Sequence, residues 1–156
     1  MISNTDKTII GRAEPIAFPE IGLAGMHARI DTGATTSALW ATAEVVDDRL
    51  RVVFLGPDHP AYTGKAYYFD EYAHGNVASS NGQTEMRFRI KLLTQLGGRK
   101  IRTTFTLADR STQVYPALIG RNTLRGKFVV DVKTGAPLRD EERKRSAELQ
   151  GKDHRS

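Results

Sequence analysis

The sequence predicts an all-β domain, and three observations carry that expectation. Turn-forming residues recur about every eight to twelve positions. Several segments alternate apolar and polar side chains, the two-residue period of a half-buried strand. Segments with the 3.6-residue period of a helix are scarce.

Taken in order, Lys7–Arg12 and Glu14–Phe18 read as short strands. Leu23–Asp31 alternates Met26, Ala28 and Ile30 with His27, Arg29 and Asp31, and reads as a half-buried strand. Ala43–Leu55 reads as a hairpin turning at Asp47-Asp48. Gly56–Gly82 is rich in Gly, Pro, Asn and Ser but also in Tyr, so it is too aromatic for a disordered linker. It is expected to be a mobile loop or a hairpin that folds over something. Gln83–Arg110 is the clearest hairpin. Met86, Phe88, Ile90 and Leu92 alternate with Arg87, Arg89 and Lys91, Gly97-Gly98 turns the chain, and Ile101, Thr103, Phe105 and Leu107 return. Val114–Gly120 is a short apolar strand, Arg121–Gly126 one or two helical turns, and Lys127–Val132 a last strand. Residues 1–138 thus form one domain. Residues 139–156 are almost wholly polar, a flexible tail that is either a frayed helix or disordered.

The chain has 156 residues, 39% hydrophobic and 26% charged, the size and composition of one globular domain with a real core. It holds no cysteine, which excludes disulfides, thiolate metal sites and a cysteine nucleophile. No apolar run is long enough to span a bilayer, and the N-terminal stretch lacks the form of a signal peptide, so the expected location is the cytoplasm. The formal charge of +5 suits either solubility or an acidic partner. Nucleic acid is not the favoured partner. The basic residues form no single block, and Phe88 in MRFRIKL alternates with arginines as a core face does.

Chemistry concentrates in ARIDTGATTSALW, residues 28–40, where a strand ends in Asp31-Thr32-Gly33-Ala34. A lone Asp-Thr-Gly arises by accident in roughly 3% of chains of this length. A second motif, Leu118-Ile119-Gly120-Arg121-Asn122-Thr123-Leu124, follows about ninety residues later and makes accident a poor account.

Together the two motifs resemble the retropepsin family, the aspartic proteases of retroviruses and their cellular relatives. Over nearly the whole chain, GRAEPIAFPEIGL, ARIDTGATTSAL, SSNGQTEMR, TLADRSTQVYPALIGRNTL and FVVDV are similar, in order, to a bacterial family named as ATP-dependent zinc proteases. That family also looks retropepsin-like, and its members are often associated with an ATP-grasp glutamate ligase that modifies a ribosomal protein. The resemblance implies a closed β-barrel with one short helix near the C-terminus, assembled as a two-fold homodimer. It implies catalysis by two aspartates sharing one proton, since two like charges that close cannot both ionise cheaply. The small neighbours fit such crowding: Gly33 lets its amide reach the carboxylate and Ala34 leaves room for a peptide, while the resemblance implies that the Thr32 hydroxyl ties the two active-site loops together.

Nothing else in the chain reads Asp-Thr/Ser-Gly. Asp131, in DVKTGA, is a near-miss read as a strand end and turn. The second aspartate is therefore expected from another copy, Asp31 beside Asp31. By resemblance Gly120, Arg121 and Asn122 support the active site. In retroviral proteases the matching arginine pairs with an acidic residue just after the motif. Here that position is Thr35, so Arg121 needs another acceptor, a backbone carbonyl or a carboxylate elsewhere. The flap that closes over the groove is expected within Gly56–Gly82, with Ser79, Ser80, Asn81 and Gly82 at its end.

The residues do not support the zinc or the ATP of the family name. There is no HExxH, and the best metal candidate, Asp70, Glu71 and His74, lacks a third convergent histidine. No GxxxxGK[ST] exists, and Leu96–Lys100 is a hairpin turn. No cofactor is expected, and any ATP link belongs to a partner such as the ligase. The expected function is an aspartic endopeptidase acting on a peptide or protein, by family association a glutamate-extended tail. Arg87, Arg89, Arg110 or Arg121 would supply positive potential for it. The alternatives are a catalytically silent retropepsin-like scaffold that binds peptides and, behind it, a zinc peptidase.

Overall fold

A computed structural model of the protein describes residues 6–78 and 81–153. Its strands are β1 (Thr8–Ile10), β2 (Ala13–Phe18), β3 (Leu23–Ile30), β4 (Ser37–Val46), β5 (Arg49–Phe54), β6 (Ala66–Phe69), β7 (Ala73–Ala78), β8 (Thr84–Leu96), β9 (Arg99–Ala108), β10 (Ala117–Ile119) and β11 (Phe128–Val130). Two helices, α1 (Arg121–Leu124) and α2 (Arg139–Asp153), complete it.

Six strands close into a barrel in the order β10-β3-β2-β8-β9-β4, with β10 also pairing β4 to shut the ring. The alternating residues fill it. Ile16, Phe18, Met26, Leu39, Ile90, Leu92, Phe105 and Ile119 are buried, and the Phe18 and Phe105 rings meet edge to face at 5.5 Å. The two hairpins read from sequence are present. Asp47 and Asp48 take φ of 50° and 64° between β4 and β5, and Gly97 and Gly98 take 57° and 77° between β8 and β9. Two consecutive residues at positive φ match the right-handed twist of the flanking strands.

The region 56–82 is more regular than its composition suggests. β6 pairs β5 and so widens the β4–β5 hairpin, held by Tyr67 and Phe69 against the Phe54 ring and by the Tyr67 hydroxyl donating to the Ile21 carbonyl at 2.8 Å. β7 pairs the first half of β8 from Ala73↔Arg89 to Ala78↔Thr84, making a hairpin that leaves the barrel. This corrects the uniform core face expected along β8. Ile90 and Leu92 are buried, whereas Met86 is 54% exposed and Phe88 rests on Tyr72 and His74. Beyond residue 89 the strand's partners are β2 and β9; before it the strand leans on β7.

β1 and β11 form a separate parallel pair, Thr8↔Phe128 to Ile10↔Val130. Asp131 then turns the chain, its Oδ1 accepting the Lys133 N–H at 2.9 Å, so its carboxylate closes a local turn. The polar segment from residue 139 is helical through Asp153 and joined to the barrel. Glu142 accepts two hydrogen bonds from the Arg12 guanidinium, at 2.7 and 2.9 Å, and one from the Tyr115 hydroxyl at 2.9 Å.

The Arg12 hydrogen bonds hold the Glu142 carboxyl below its ordinary value of 4.5. A carboxyl depressed in the folded state stabilises it fully above its unfolded pKa, and that contribution fades as pH falls through the folded one. Amide hydrogen exchange should therefore show α2 losing protection as pH falls below about 4.5, while the barrel strands keep theirs. Glu142→Gln should give the same α2 signature at neutral pH. Equal protection of α2 in both proteins would contradict this attachment.

Candidate active site

The loop carrying Asp31 hangs between two neighbouring strands. β3 ends at Ile30 and β4 begins at Ser37, and β10 lies between them, parallel to β3 and antiparallel to β4. The loop must therefore pass over the end of β10, where α1 starts. The Asp31 N–H continues the β3–β10 ladder by donating to the Ile119 carbonyl at 2.9 Å. The first amides of α1, which have no partner inside the helix, donate back to the loop: Arg121 N–H to the Ala34 carbonyl at 2.8 Å and Asn122 N–H to the Thr35 carbonyl at 3.0 Å. Gly120 makes that closeness possible. A Cβ there would sit 2.2 Å from the Thr36 oxygen and 2.9 Å from that of Ala34, both backbone atoms that cannot step aside.

Beneath the loop is a buried hydroxyl cluster. Ser37 is fully buried. Its Oγ accepts the Gly120 N–H at 3.0 Å, donates to Asn122 Oδ1 at 2.8 Å and lies 3.0 Å from Thr123 Oγ1. Asn122 Nδ2 in turn donates to the Thr104 carbonyl on β9 at 3.1 Å. Above the loop, Arg121 finds the acceptors that the missing carboxylate left open. Its Nη1 donates to the Thr32 carbonyl at 3.0 Å and its Nη2 to the hydroxyl of Thr35 itself at 2.9 Å. Thr35 replaces the ion pair with a neutral hydrogen bond.

Asp31 is half-buried, and Thr32 and Gly33 are exposed. The Gly33 N–H donates to Asp31 Oδ1 at 2.9 Å, and a Cβ on Gly33 would press on that oxygen at 3.2 Å. The carboxylate is thus oriented by its own loop, and among the described residues no hydrogen bond holds Oδ2. Of the residues singled out in the sequence, Asp31, Thr32, Gly33, Ala34, Gly120, Arg121 and Asn122 meet in this one assembly. Asn81 and Gly82 lie instead at the tip of the β7–β8 hairpin, where Asn81 Oδ1 accepts the Gln83 N–H. Ser79 and Ser80 lie outside the described residues. Asp70 pairs with Arg49 at 2.7 Å, and His74 packs on Phe88. Among the described residues no three His, Cys, Asp or Glu side chains are grouped to hold a metal. A pocket of about 680 Å³ lies between β6, β8 and β9, walled by Tyr67, Tyr72 and Leu92, and Asp31 does not line it.

Two features escaped the sequence. Ser37 and Thr123 give no pattern, because single hydroxyl residues at a strand start or in a short helix are common. The other is a cationic pocket in which Arg29 and Arg110 come together although 81 positions apart.

Comparison with known proteins gives the chain its family. The sequence profile described as "Retropepsin-like aspartic endopeptidase RimB" matches residues 9–137. The chain belongs to the RimB-like family. Its match spans the whole barrel together with β11, the Asp31 loop and all of β1 but Thr8. A crystal structure of a Legionella pneumophila protein of unknown function superposes with a TM-score of 0.61 at 25% identity, covering 82% of this chain and 95% of that one. A Shewanella pealeana protein named "Probable alpha-L-glutamate ligase" is 32% identical over 131 residues, 81% of this chain. One of the same name from Parasynechococcus marenigrum is 29% identical over 87% of this chain. The RimB-like chain spans only 29% and 30% of these two relatives' lengths.

The hydroxyl cluster sets a test of the brace. Ser37→Ala leaves the buried Gly120 N–H without its acceptor and should lower unfolding stability by about 1–3 kcal/mol in urea titrations. Thr35→Val removes only an exposed acceptor and should lower it by less than about 1 kcal/mol. Equal losses would contradict the assigned roles.

Proposed function

We propose that this protein is an aspartic endopeptidase of the cytoplasm, active as a two-fold homodimer whose dyad is Asp31 of each copy, and that it trims glutamate-rich protein tails. The observation that carries the proposal is the braced Asp-Thr-Gly loop. A carboxylate is fixed by the Gly33 amide at 2.9 Å on a loop whose outer residues face solvent, and the chain supplies no second such loop.

In the dimer one Asp31 carboxyl keeps the shared proton and the other is the base. The base takes a proton from a water whose oxygen attacks the scissile carbonyl carbon. The protonated carboxyl gives its proton to the carbonyl oxygen. The tetrahedral intermediate collapses as the protonated carboxyl gives its proton to the amide nitrogen, the C–N bond breaks, and the other carboxylate takes the proton of a gem-diol hydroxyl, so the dyad again holds one proton. The pair titrates as a unit. Exposed Ile9, Val129 and Val132, at 66%, 42% and 72%, give the β1–β11 side an apolar surface that a second copy would cover. The β7–β8 hairpin, with Asn81 and Gly82 at its tip, is the flap. Residues 1–138 carry the activity.

The substrate class rests on two supports. Relatives named as glutamate ligases contain a segment like this chain within a much longer protein. A ligase that adds glutamates and a peptidase that removes them recognise the same tail. The same relatives favour a second reading, a catalytically silent module that presents an acidic tail to a ligase.

Wild type and Asp31→Asn should be compared on poly-glutamate and mixed peptide libraries, with and without chelator, from mildly acidic to neutral pH. The proposal expects cleavage that survives chelation and falls by at least about a hundredfold in Asp31→Asn. Cleavage that chelator abolishes would overturn it in favour of a metallopeptidase. Absence of cleavage by either protein would favour the silent module.

A further inference from the structure

A pocket of about 480 Å³ opens between the end of β3, the segment from Arg110 to Tyr115, and α2. Four arginines line it, Arg12, Arg29, Arg110 and Arg145, against one acidic residue, Glu142. Glu142 is already committed: both oxygens are taken by Arg12, and one also by Tyr115. Arg145 lies 3.6 Å from Glu148 on its own helix. Arg29 and Arg110 have no carboxylate partner among the described residues. Arg110 uses one donor, Nε, on the Tyr115 carbonyl at 3.1 Å. The rest of its fork is uncommitted.

This arrangement is unfavourable as it stands. Burial and the charge of Arg29 both oppose the charge of Arg110, in that order of size. A partly buried Arg110 beside the charge of Arg29, neither with a carboxylate partner among the described residues, is stabilised by an anion from outside. A guanidinium presents parallel N–H groups that match the two oxygens of a carboxylate. The same pocket shows that match in Arg12 and Glu142. Its position is equally specific. Arg29 stands two residues before Asp31, and side chains two apart on a strand emerge on one face. The ladder that holds Arg29 opposite Leu118 on β10 continues through the Asp31 N–H to Ile119. Asp31 does not itself line the pocket, but Ile30 does, and Arg29 stands on the same strand end that leads into the Asp31 loop.

We propose that Arg29 and Arg110 form a carboxylate subsite that seats an acidic side chain of the peptide next to Asp31 and sets the preference for glutamate. This rests on the peptidase reading for its consequence, though not for the binding itself. α2 forms one wall, so the segment beyond the barrel completes the subsite. Arg121 is excluded from this role because it is spent on Thr32 and Thr35. Arg87 is excluded because it pairs with Glu85.

The test separates binding from cleavage. The full chain carrying Asp31→Asn, which prevents turnover, is titrated against fluorescein-labelled hexaglutamate and hexaglutamine by anisotropy at about 0.1 M salt. Hexaglutamate should bind at least about tenfold more tightly than hexaglutamine. Arg29→Gln should remove most of that ratio. Arg29 is exposed, so this variant folds. Arg110→Lys, which keeps the charge and loses the fork, should weaken hexaglutamate by a smaller factor, with circular dichroism confirming the fold. Glutarate should displace the peptide at lower concentration than inorganic phosphate does. A ratio unchanged by Arg29→Gln, no preference for hexaglutamate, or phosphate as the better competitor would overturn the subsite. Cleavage is then read with Asp31 intact. An Arg29-dependent preference without cleavage would support the subsite and contradict the peptidase. Cleavage with no Arg29-dependent preference would do the reverse.

Discussion

Everything at the site depends on how closely β10 and the start of α1 approach the Asp31 loop. Gly120 lies so near the Ala34 and Thr36 carbonyls that no side chain fits there. That closeness lets the Ile119 carbonyl, the Arg121 and Asn122 amides and the Ser37 hydroxyl all reach across between strands far apart in sequence. A loop of six residues between β3 and β4 would otherwise have few backbone partners. Here its N–H and C=O groups are met by a second element, and the unmade alternative would cost more than the bonds contribute. The carboxylate at its centre is fixed because its backbone is fixed.

The charge distribution follows a different logic. Several arginines are neutralised locally: Arg12 by Glu142, Arg49 by Asp70, Arg102 by Glu20. Such partly exposed pairs contribute little to stability, about 0–1 kcal/mol each. Arg29 and Arg110 differ from these: they meet in one pocket, and neither has a carboxylate partner among the described residues. A net charge of +5 says only that anions are attracted somewhere. The pocket between β3 and α2 is the place proposed for that attraction.

Much of this was legible in the sequence, where local physics decides. The Asp47-Asp48 and Gly97-Gly98 turns, the buried face of β9 and the short helix after Gly120 follow from turn chemistry and two-residue periodicity. Asp31-Thr32-Gly33 and the Gly120-Arg121-Asn122 segment announced themselves as a pair. What was not legible depends on contacts between distant residues. That β1 and β11, each readable as a short strand, pair with one another in parallel is such a contact. β6 hides among glycines and prolines and is held by Tyr67 and Phe69 on Phe54. The outward turn of β8 at Arg89 cannot be read from an alternation that runs unbroken through it. A substitution at Thr35 looked like a lost ion pair, but the hydroxyl itself takes the Arg121 donor. Composition could not decide between disorder and a helix after residue 139. Glu142 decides it through Arg12 and Tyr115, 130 and 27 positions away.

One Asp-Thr-Gly per chain makes the account stand or fall on assembly. The most direct measurement is sedimentation equilibrium over a wide concentration range, with specific activity on a glutamate-rich peptide recorded on the same samples. The account predicts that activity per chain tracks the fraction of dimer and vanishes as the protein dissociates on dilution. Full activity per chain in samples that sediment as monomer would contradict it, because a lone Asp31 has no second carboxyl with which to share a proton.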